Sequence, residues 1–363
     1  MRDMKTDIQN QVEQVDRIDP SLQAALVKSR GLTVVVGRDG QGRDVAVDLA
    51  TLPHLLIGGS TGKGKSVFLH SLICSLVQDH SPKEVEFVLM DPKRVEFSVY
   101  AKLPHLHAHI VYDPEHGTAM MKYIESIMDG RFSLFAEEGC RNITEYNLAT
   151  EGDGLPHTIV VIDEFSDFMC NDDCGVFEST VSRIAALGRA AGIHLVMATS
   201  RPAAKVVTGT LKANIPGRLS FKVATKVDSR TLLEEAGAEE LSGRSSALLK
   251  TSNGAIIQVQ VPLIRDEEIK EVVGSVLARY SEGDPEENLE IDCDEALFDR
   301  AMELIRTTGR ASLSLFQRQL GIGYNAAVRL MDRLEKLPKF KNIRTRGLNS
   351  GMENGIMSPS TGD

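Results

Sequence analysis

The eight residues Gly59-Ser60-Thr61-Gly62-Lys63-Gly64-Lys65-Ser66 constrain this chain more than any other stretch. They match G-x-x-x-x-G-K-[ST], and they lie between an apolar run at 55–58 and a helical pattern over 66–78. A strand before and a helix after is the context that makes the motif meaningful. Glycines let the backbone wrap a polyphosphate with its N–H groups turned inward, and the helix N-terminus adds partial positive charge. In such loops the lysine, here Lys65, reaches the β- and γ-phosphates, and the next hydroxyl, here Ser66, meets Mg²⁺. Alone, the loop says only that a nucleoside triphosphate binds.

The surrounding pattern predicts an α/β fold. Short Val/Ile/Leu-rich runs at 55–58, 85–91, 158–164, 193–200 and 218–225 alternate with helical stretches at 66–78, 116–138 and 176–191. Nearly continuous apolar runs fit strands buried on both faces of a mainly parallel sheet. Residues 32–49 alternate around a Gly/Asp-rich turn and read as a β-hairpin. Two more strands, 247–251 and 255–261, extend the sheet as a hairpin across Ser252–Gly254, and a helix over 266–280 closes the domain.

Beyond that point the composition changes. The acidic, Pro/Gly-bearing segment 281–292 reads as a linker, followed by helical patterns at 294–307, 312–320 and 324–337. Ser312 is placed to cap the second of these, and Gly321-Ile322-Gly323 makes the turn into the third, which is helix-turn-helix spacing. The chain carries a net charge of −10, yet residues 293–346 hold eleven Lys/Arg against six Asp/Glu. A basic module on an acidic body points to an anionic polymer as its partner. The expected organisation is a lead-in at 1–30, a nucleotide-binding domain at 31–280, the linker at 281–292, the basic module at 293–346 and a flexible tail at 347–363.

Other classes are disfavoured by composition. No run of about 18 apolar residues is present, and the polar first residues lack the apolar core of a signal peptide, so a cytoplasmic protein without a membrane anchor is expected. The five cysteines are an odd number without zinc-ligand spacing, and reduced thiols are the expectation.

Triphosphate hydrolysis needs an acidic strand end beside the phosphate loop, and Ile159-Val160-Val161-Ile162-Asp163-Glu164 supplies one. Carboxylates at the C-terminal end of a buried strand stand where α/β sheets place ligands. Asp163 is expected to hold Mg²⁺ and Glu164 to orient or deprotonate the attacking water. Asp91-Pro92-Lys93 ends another strand and reads equally as a turn or as part of the chemistry. Ser200, at the end of the strand 193–200, is the candidate γ-phosphate sensor.

Read together, these blocks resemble the motor region of the FtsK/SpoIIIE family of bacterial DNA translocases. LPHLLIGGSTGKGKSVFLHSLICSL, DPKRVEFSVYAKLPHL, CRNITEYN, IVVIDEFSDFM, AAGIHLVMATSRP and LKANIPGRLSFKVATKVDSRTLLEEAGAEEL stand in the family's order, and RASLSLFQRQLGIGYNAAVRLMDRLEK resembles its C-terminal gamma winged-helix module. The resemblance implies a RecA-like P-loop NTPase that uses ATP and Mg²⁺ and works as a homo-hexamer around double-stranded DNA. By position it makes Lys65 and Ser66 the phosphate-loop pair and Asp163 and Glu164 the acidic pair. It matches Arg189 to the arginine that reaches a neighbouring subunit's ATP, with Arg183 the competing choice. In a winged helix the third helix enters the major groove, which makes Arg318, Asn325, Arg329, Arg333, Lys341 and Arg344 the candidate DNA contacts. Three departures stand out. Ser200 replaces a usual Gln and would need a water to reach a γ-phosphate. Residues 243–249 differ from the usual stretch, and Ala326 replaces a usual arginine. A protein-translocating ATPase and a DNA-binding regulator with a weak ATPase are the alternative readings.

Overall fold

The computed structural model describes residues 31–281 apart from 151–153, 171–174 and 244, and beyond them residues 298, 300–302, 304, 305, 316, 330, 333 and 334. The expectations for 1–30, for the linker 281–292 beyond its first residue and for the tail 347–363 lie outside the described residues. The chain divides into two compact units, Met1–Tyr280 and Ser281–Asp363.

The first unit opens with a hairpin, β1 (Thr33–Asp39) and β2 (Asp44–Asp48), and then enters the sheet centre at β3 (His54–Gly58). Helix α1 (Lys65–Asp79) leads to β4 (Val85–Met90), and α2 (Pro114–Glu137) and α3 (Ile143–Ala149) lead to β5 (His157–Ile162). Helices α4 (Phe165–Cys170) and α5 (Val176–Leu187) precede β6 (Ile193–Thr199), and α6 (Gly209–Asn214) precedes β7 (Gly217–Phe221). Helix α7 (Lys226–Leu233), the hairpin β8 (Ser246–Lys250) and β9 (Ile256–Gln260), and helix α8 (Asp266–Ser281) complete it. Start signals explain several helices. Asp113 caps α2 ahead of Pro114, Asn142 caps α3, and Thr225 with Asp228 forms a reciprocal capping box on α7.

The strands form one sheet in the order β2-β1-β9-β8-β7-β3-β6-β5-β4. Strands β7, β3, β6, β5 and β4 run parallel to one another. The other pairings, β7–β8, β8–β9, β9–β1 and β1–β2, are antiparallel. The sheet is therefore mixed, which corrects the mainly parallel sheet expected from the sequence. Short turns such as those joining β1 to β2 and β8 to β9 permit only antiparallel pairing, because a parallel return needs a crossover of about a dozen residues. Both hairpins were legible, and β8–β9 was expected to extend the sheet; that β1–β2 joins the same sheet by pairing β1 with β9 was not.

The parallel half is buried on both faces, and the pleat sorts its residues. Leu55, Ile57, Ile159, Val161, Val196 and Ala198 face a core that includes Phe68, Leu72 and Ile73 of α1 and Val276 of α8. Their strand neighbours Leu56, Val160, Ile162, Leu195 and Met197 face a second core with Met121 and Met128 of α2 and Val181 and Ile184 of α5. That alternation explains why these strands read as continuous apolar runs.

The second unit is described at isolated positions. Ala301, Phe316, Leu330 and Leu334, one or more from each helical pattern, are helical and buried. Arg333 lays its guanidinium over the Phe298 ring at 4.3 Å from the centroid, an intramodule contact. Arg318, Asn325, Arg329, Lys341 and Arg344 lie outside the described residues.

Polar groups are buried at the N-terminal edge of the parallel strands, opposite the phosphate loop. His157 Nδ1 lies 3.0 Å from His194 Nε2, and the rings stack. His54 Nδ1 accepts from Leu195 N at 3.0 Å. Burial holds His54 and His157 down to about 4, and His194 well below the ordinary imidazole range. Beside them Arg131 donates to Ala191 O at 2.7 Å and Thr158 Oγ1 at 3.0 Å, and it pairs with Glu86 at 3.4 Å.

These histidines bind protons more readily unfolded than folded, so stability is intact above about pH 6.5 and is lost as pH falls toward about 4. A denaturant melt at pH 7.5 and pH 5 should show a lower midpoint at pH 5. The protonation-linked loss approaches about 3 kcal/mol for a group shifted like His54 once pH reaches its folded value. Substituting Arg131 by Leu should cost about 3–5 kcal/mol, because it strands the Glu86 carboxylate in the core.

Candidate nucleotide site

Strand order brings the predicted residues together. β3, β6, β5 and β4 are consecutive and parallel, so their C-terminal ends line up. The phosphate loop leaves β3, Ser200 follows β6, Asp163-Glu164 follow β5, and Asp91-Pro92-Lys93 follow β4. Lys93 and Ser200, far apart in sequence, both reach Glu164 across the two spacings from β4 through β5 to β6.

Residues Gly59–Ser66 bridge β3 and α1. Gly59 has φ 152 and Gly64 φ 122, and at each a Cβ would come within 2.7 Å of Phe221. Phe221, at the end of β7, is thus the wall against which the loop is pressed, and only glycine permits that approach. The loop is pinned by Ser60 N to Lys222 O at 2.8 Å and by Ser245 N to Lys63 O at 3.2 Å. The divergent stretch 243–249 therefore touches the phosphate loop, a contact no local sequence signal announced. Thr61 and Gly62 are exposed. Helix α1 starts at Lys65 with no acidic residue in its first turn, so its N–H groups present an uncompensated positive end. Lys65 folds back onto Gly59 O at 2.6 Å and Ser60 O at 3.2 Å. Burial lowers its pKa, while Glu164 and Asp163 act to raise it. A glycine cradle, an open helix N-terminus and a lysine resting on carbonyls it can exchange for phosphate oxygens fit a triphosphate.

The acidic pair is buried. Burial pushes Asp163 up to about 6, with Glu96, Glu164 and Asp91 adding to the rise and Lys93 opposing it. Glu164 sits at φ 56, a left-handed backbone rare for a non-glycine residue and a mark of a functional turn. Burial works to raise its pKa, but the donors around it win and hold it down at about 2. Those donors are Ser200, Ser166 and Lys93. The hydroxyl and the amide of Ser200 both bind Glu164 directly, a contact the sequence did not announce.

Two participants were undervalued from sequence. Asp91 serves the turn, accepting from Lys93 N, Glu96 N and Phe97 N at 3.0–3.1 Å. Lys93 reaches across to Glu164 at 2.9 Å, so the segment is a turn that also joins the acidic strand end. Glu96 bonds to Ser66 and to His70, which hold its pKa down. A carboxylate beside the Ser66 hydroxyl suits the hydration shell of a divalent cation. Among the described residues, no group of three or more His, Cys, Asp or Glu is placed to hold a metal ion.

Arg189 lies beyond the end of α5, in the turn before β6 rather than on a helix, and is exposed. Its Nε donates to Ala50 O at 3.1 Å. Ala50 precedes β3, so Arg189 stands at the opposite end of the sheet from the phosphate loop. Arg183 is tied to Asp129 at 2.7 Å and Glu125 at 2.9 Å. Cys74, Cys140 and Cys170 are free thiols, and no helix among the described residues is long and apolar enough to cross a membrane.

A phosphate loop between a central parallel strand and its helix, with an acidic pair two strands away, is the architecture of a phosphate-loop NTPase. The chain belongs to the FtsK/SpoIIIE family, whose model matches residues 23–204, and the FtsK gamma domain matches residues 292–337. It is 43% identical to a DNA translocase FtsK of Caldanaerobacter subterraneus over 84% of this chain and 44% of that protein. It is 39% identical to the DNA translocase SpoIIIE of Bacillus subtilis, over 84% of this chain and 41% of that protein. The chain thus spans less than half the length of these curated relatives. Among solved structures it is similar to the conjugation coupling protein TcpA with ATPγS, at TM-score 0.64 and 28% identity over 73% of this chain and 74% of that one. It is also similar to the type VII secretion ATPase EccC of Thermomonospora curvata, at TM-score 0.61 and 25% identity over 72% of this chain and 33% of that one.

Replacing Gly59 by Ala places a methyl group against Phe221 in a backbone region alanine avoids. Binding of a fluorescent ATP analogue should weaken by at least about tenfold, the weight of about 1.4 kcal/mol. The thermal midpoint, dominated by the two cores, should move by only a few degrees.

Proposed function

We propose that this chain is the motor of an ATP-driven double-stranded DNA translocase. The observation that carries the reading is the alignment of Lys65, Ser200, Glu164 and Asp163 on adjacent parallel strand ends, in a chain of the FtsK/SpoIIIE family.

In this reading the Gly59–Ser66 backbone and the α1 N-terminus bind the ATP phosphates, and Lys65 leaves the carbonyls of Gly59 and Ser60 for phosphate oxygens. Ser66 and Asp163 would hold Mg²⁺, which when bound neutralises charge on the β- and γ-phosphates. Glu164 accepts the hydrogen of the attacking water. Arg189 serves a neighbouring subunit's ATP, since its place at the opposite end of the sheet excludes its own; Arg183, engaged with Asp129 and Glu125, is the weaker choice. A trans-acting arginine is consistent with a ring, and a homo-hexamer is the assembly we propose.

Residues 31–280 form the RecA-like motor and 293–346 a winged-helix module joined by the linker 281–292. The module's basic balance and its match to the gamma domain support DNA binding. Arg318, Asn325, Arg329, Lys341 and Arg344 are the proposed contacts. Arg333 joins them with part of its guanidinium spent on Phe298. The site of action is cytoplasmic. Similarity to a secretion ATPase keeps protein translocation as the second reading, but a gamma-domain match speaks for DNA.

ATP hydrolysis by the purified chain should rise several-fold with duplex DNA and vanish in Lys65→Ala; equal rates with and without DNA would remove the translocase reading. Deleting 293–363 should weaken DNA loading in a filter-binding assay more than it lowers ATP turnover at saturating DNA. Loss of turnover with loading intact would reverse the roles assigned to the two units.

A further inference from the structure

Both oxygens of Glu164 are committed. Oε1 accepts from Thr199 Oγ1 at 2.9 Å, Ser200 N at 2.8 Å and Ser166 Oγ at 2.7 Å. Oε2 accepts from Lys93 Nζ at 2.9 Å and Ser200 Oγ at 2.5 Å. An ionised carboxylate offers about four lone-pair positions. These donors fill them, and none is left for the hydrogen of a water. In this arrangement Glu164 neither orients a nucleophile nor takes its proton.

The donors differ in how easily they leave. Thr199 and Ser166 are buried, on β6 and α4, and support the carboxylate from within the fold. Lys93 and Ser200 stand on the open side. The Lys93 side chain is 48% exposed and hangs on a flexible stem, and Ser200 is half-buried at the mouth of the β6 turn. They come from β4 and β6, the two strands flanking β5, and meet on the same oxygen, Oε2. An ammonium and a hydroxyl are also donors that phosphate oxygens accept readily.

We propose that Lys93 and Ser200 form a latch on Glu164 Oε2, and that a terminal phosphate entering the site opens it by competing for both donors. The latch rests on the reading of Glu164 as the base. Lys93 and Ser200 act as positioning residues: while they hold Oε2 the water has no acceptor, and once they turn to the phosphate Oε2 is free. Thr199, Ser166 and the Ser200 amide keep Oε1 fixed throughout, so the carboxylate is released without swinging away. The same contact gives Ser200 a role that a serine's short reach allows. It senses the phosphate by letting go of the glutamate, a 2.5 Å partner, rather than by spanning the site.

The test uses the full chain without DNA, measuring steady-state ATP hydrolysis and the affinity for a fluorescent non-hydrolysable ATP analogue. Ser200→Ala and Lys93→Met each remove one hold. Each should raise DNA-free kcat by about tenfold, the equilibrium weight of one hydrogen bond to a charged group. Analogue affinity should stay within a few-fold, because each variant loses a hold on Oε2 and a contact to the phosphate together; a rise in turnover beside it is not what misfolding produces. Ser200→Thr and Lys93→Arg, which restore a hydroxyl and a cation, should return kcat to the parent value. If kcat stays level or falls in Ser200→Ala with analogue binding intact, the latch is wrong, whether or not Lys93→Met folds. Glu164→Gln separates the two ideas. An inactive Glu164→Gln beside an unchanged Ser200→Ala overturns the latch alone; a Glu164→Gln that turns over at the parent rate overturns the base assignment, and the latch falls with it.

Discussion

Parallel pairing of β3, β6, β5 and β4 is the constraint on which the rest depends. In a parallel ladder neighbouring strands end at the same side, and in a doubly covered sheet that side is where backbone groups and polar side chains escape the core. The chain leaves β3 for the far edge at β4, returns through β5 and β6, and crosses to β7 on the other flank of β3. That path puts the phosphate loop at the topological switch point, with β6 on one side and β7 on the other. Phe221 from β7 can then press on the loop glycines while Ser200 from β6 meets the acidic end of β5.

The two ends of the sheet carry opposite chemistry. At the C-terminal ends, lysines and carboxylates share a partly open site where charge is retained: Glu164 is held ionised and Asp163 is lifted toward neutrality by burial among other carboxylates. At the N-terminal ends, His54, His157 and His194 are buried and kept neutral, and the Glu86–Arg131 pair is closed off by Thr158 and His107. One end is arranged to exchange partners with a ligand. The other is closed within the fold, its buried polar groups bonded mainly to one another and to backbone, and Arg189 emerges there toward whatever lies outside.

The site was read from sequence with uneven success, and the reasons are physical. Lys65, Ser66, Asp163 and Glu164 were legible because each sits at a fixed offset from an apolar run that had to be a buried strand. Lys93 was left between turn and chemistry, since a Pro-fixed turn looks the same locally whether or not its lysine reaches another strand. Ser200 was placed at the site, but its bonds to Glu164 were not foreseen: its distance to Glu164 depends on β6 lying beside β5, and no local pattern encodes neighbour order. Ser245 was noticed only as a departure, although it bonds the phosphate loop.

Periodicity and turn chemistry thus determined the elements, the two-sided burial of the central strands, the phosphate loop and the acidic pair, because those are properties of ten-residue windows. Tertiary structure decided that the sheet is mixed, that Phe221 walls the loop, that Arg189 faces away from its own site, and that Glu164 is gripped by residues from two other segments. Each of these is a contact between segments distant in the chain. Such contacts depend on which strand lies beside which, and that order is chosen by the packing of the whole molecule rather than by any stretch of it.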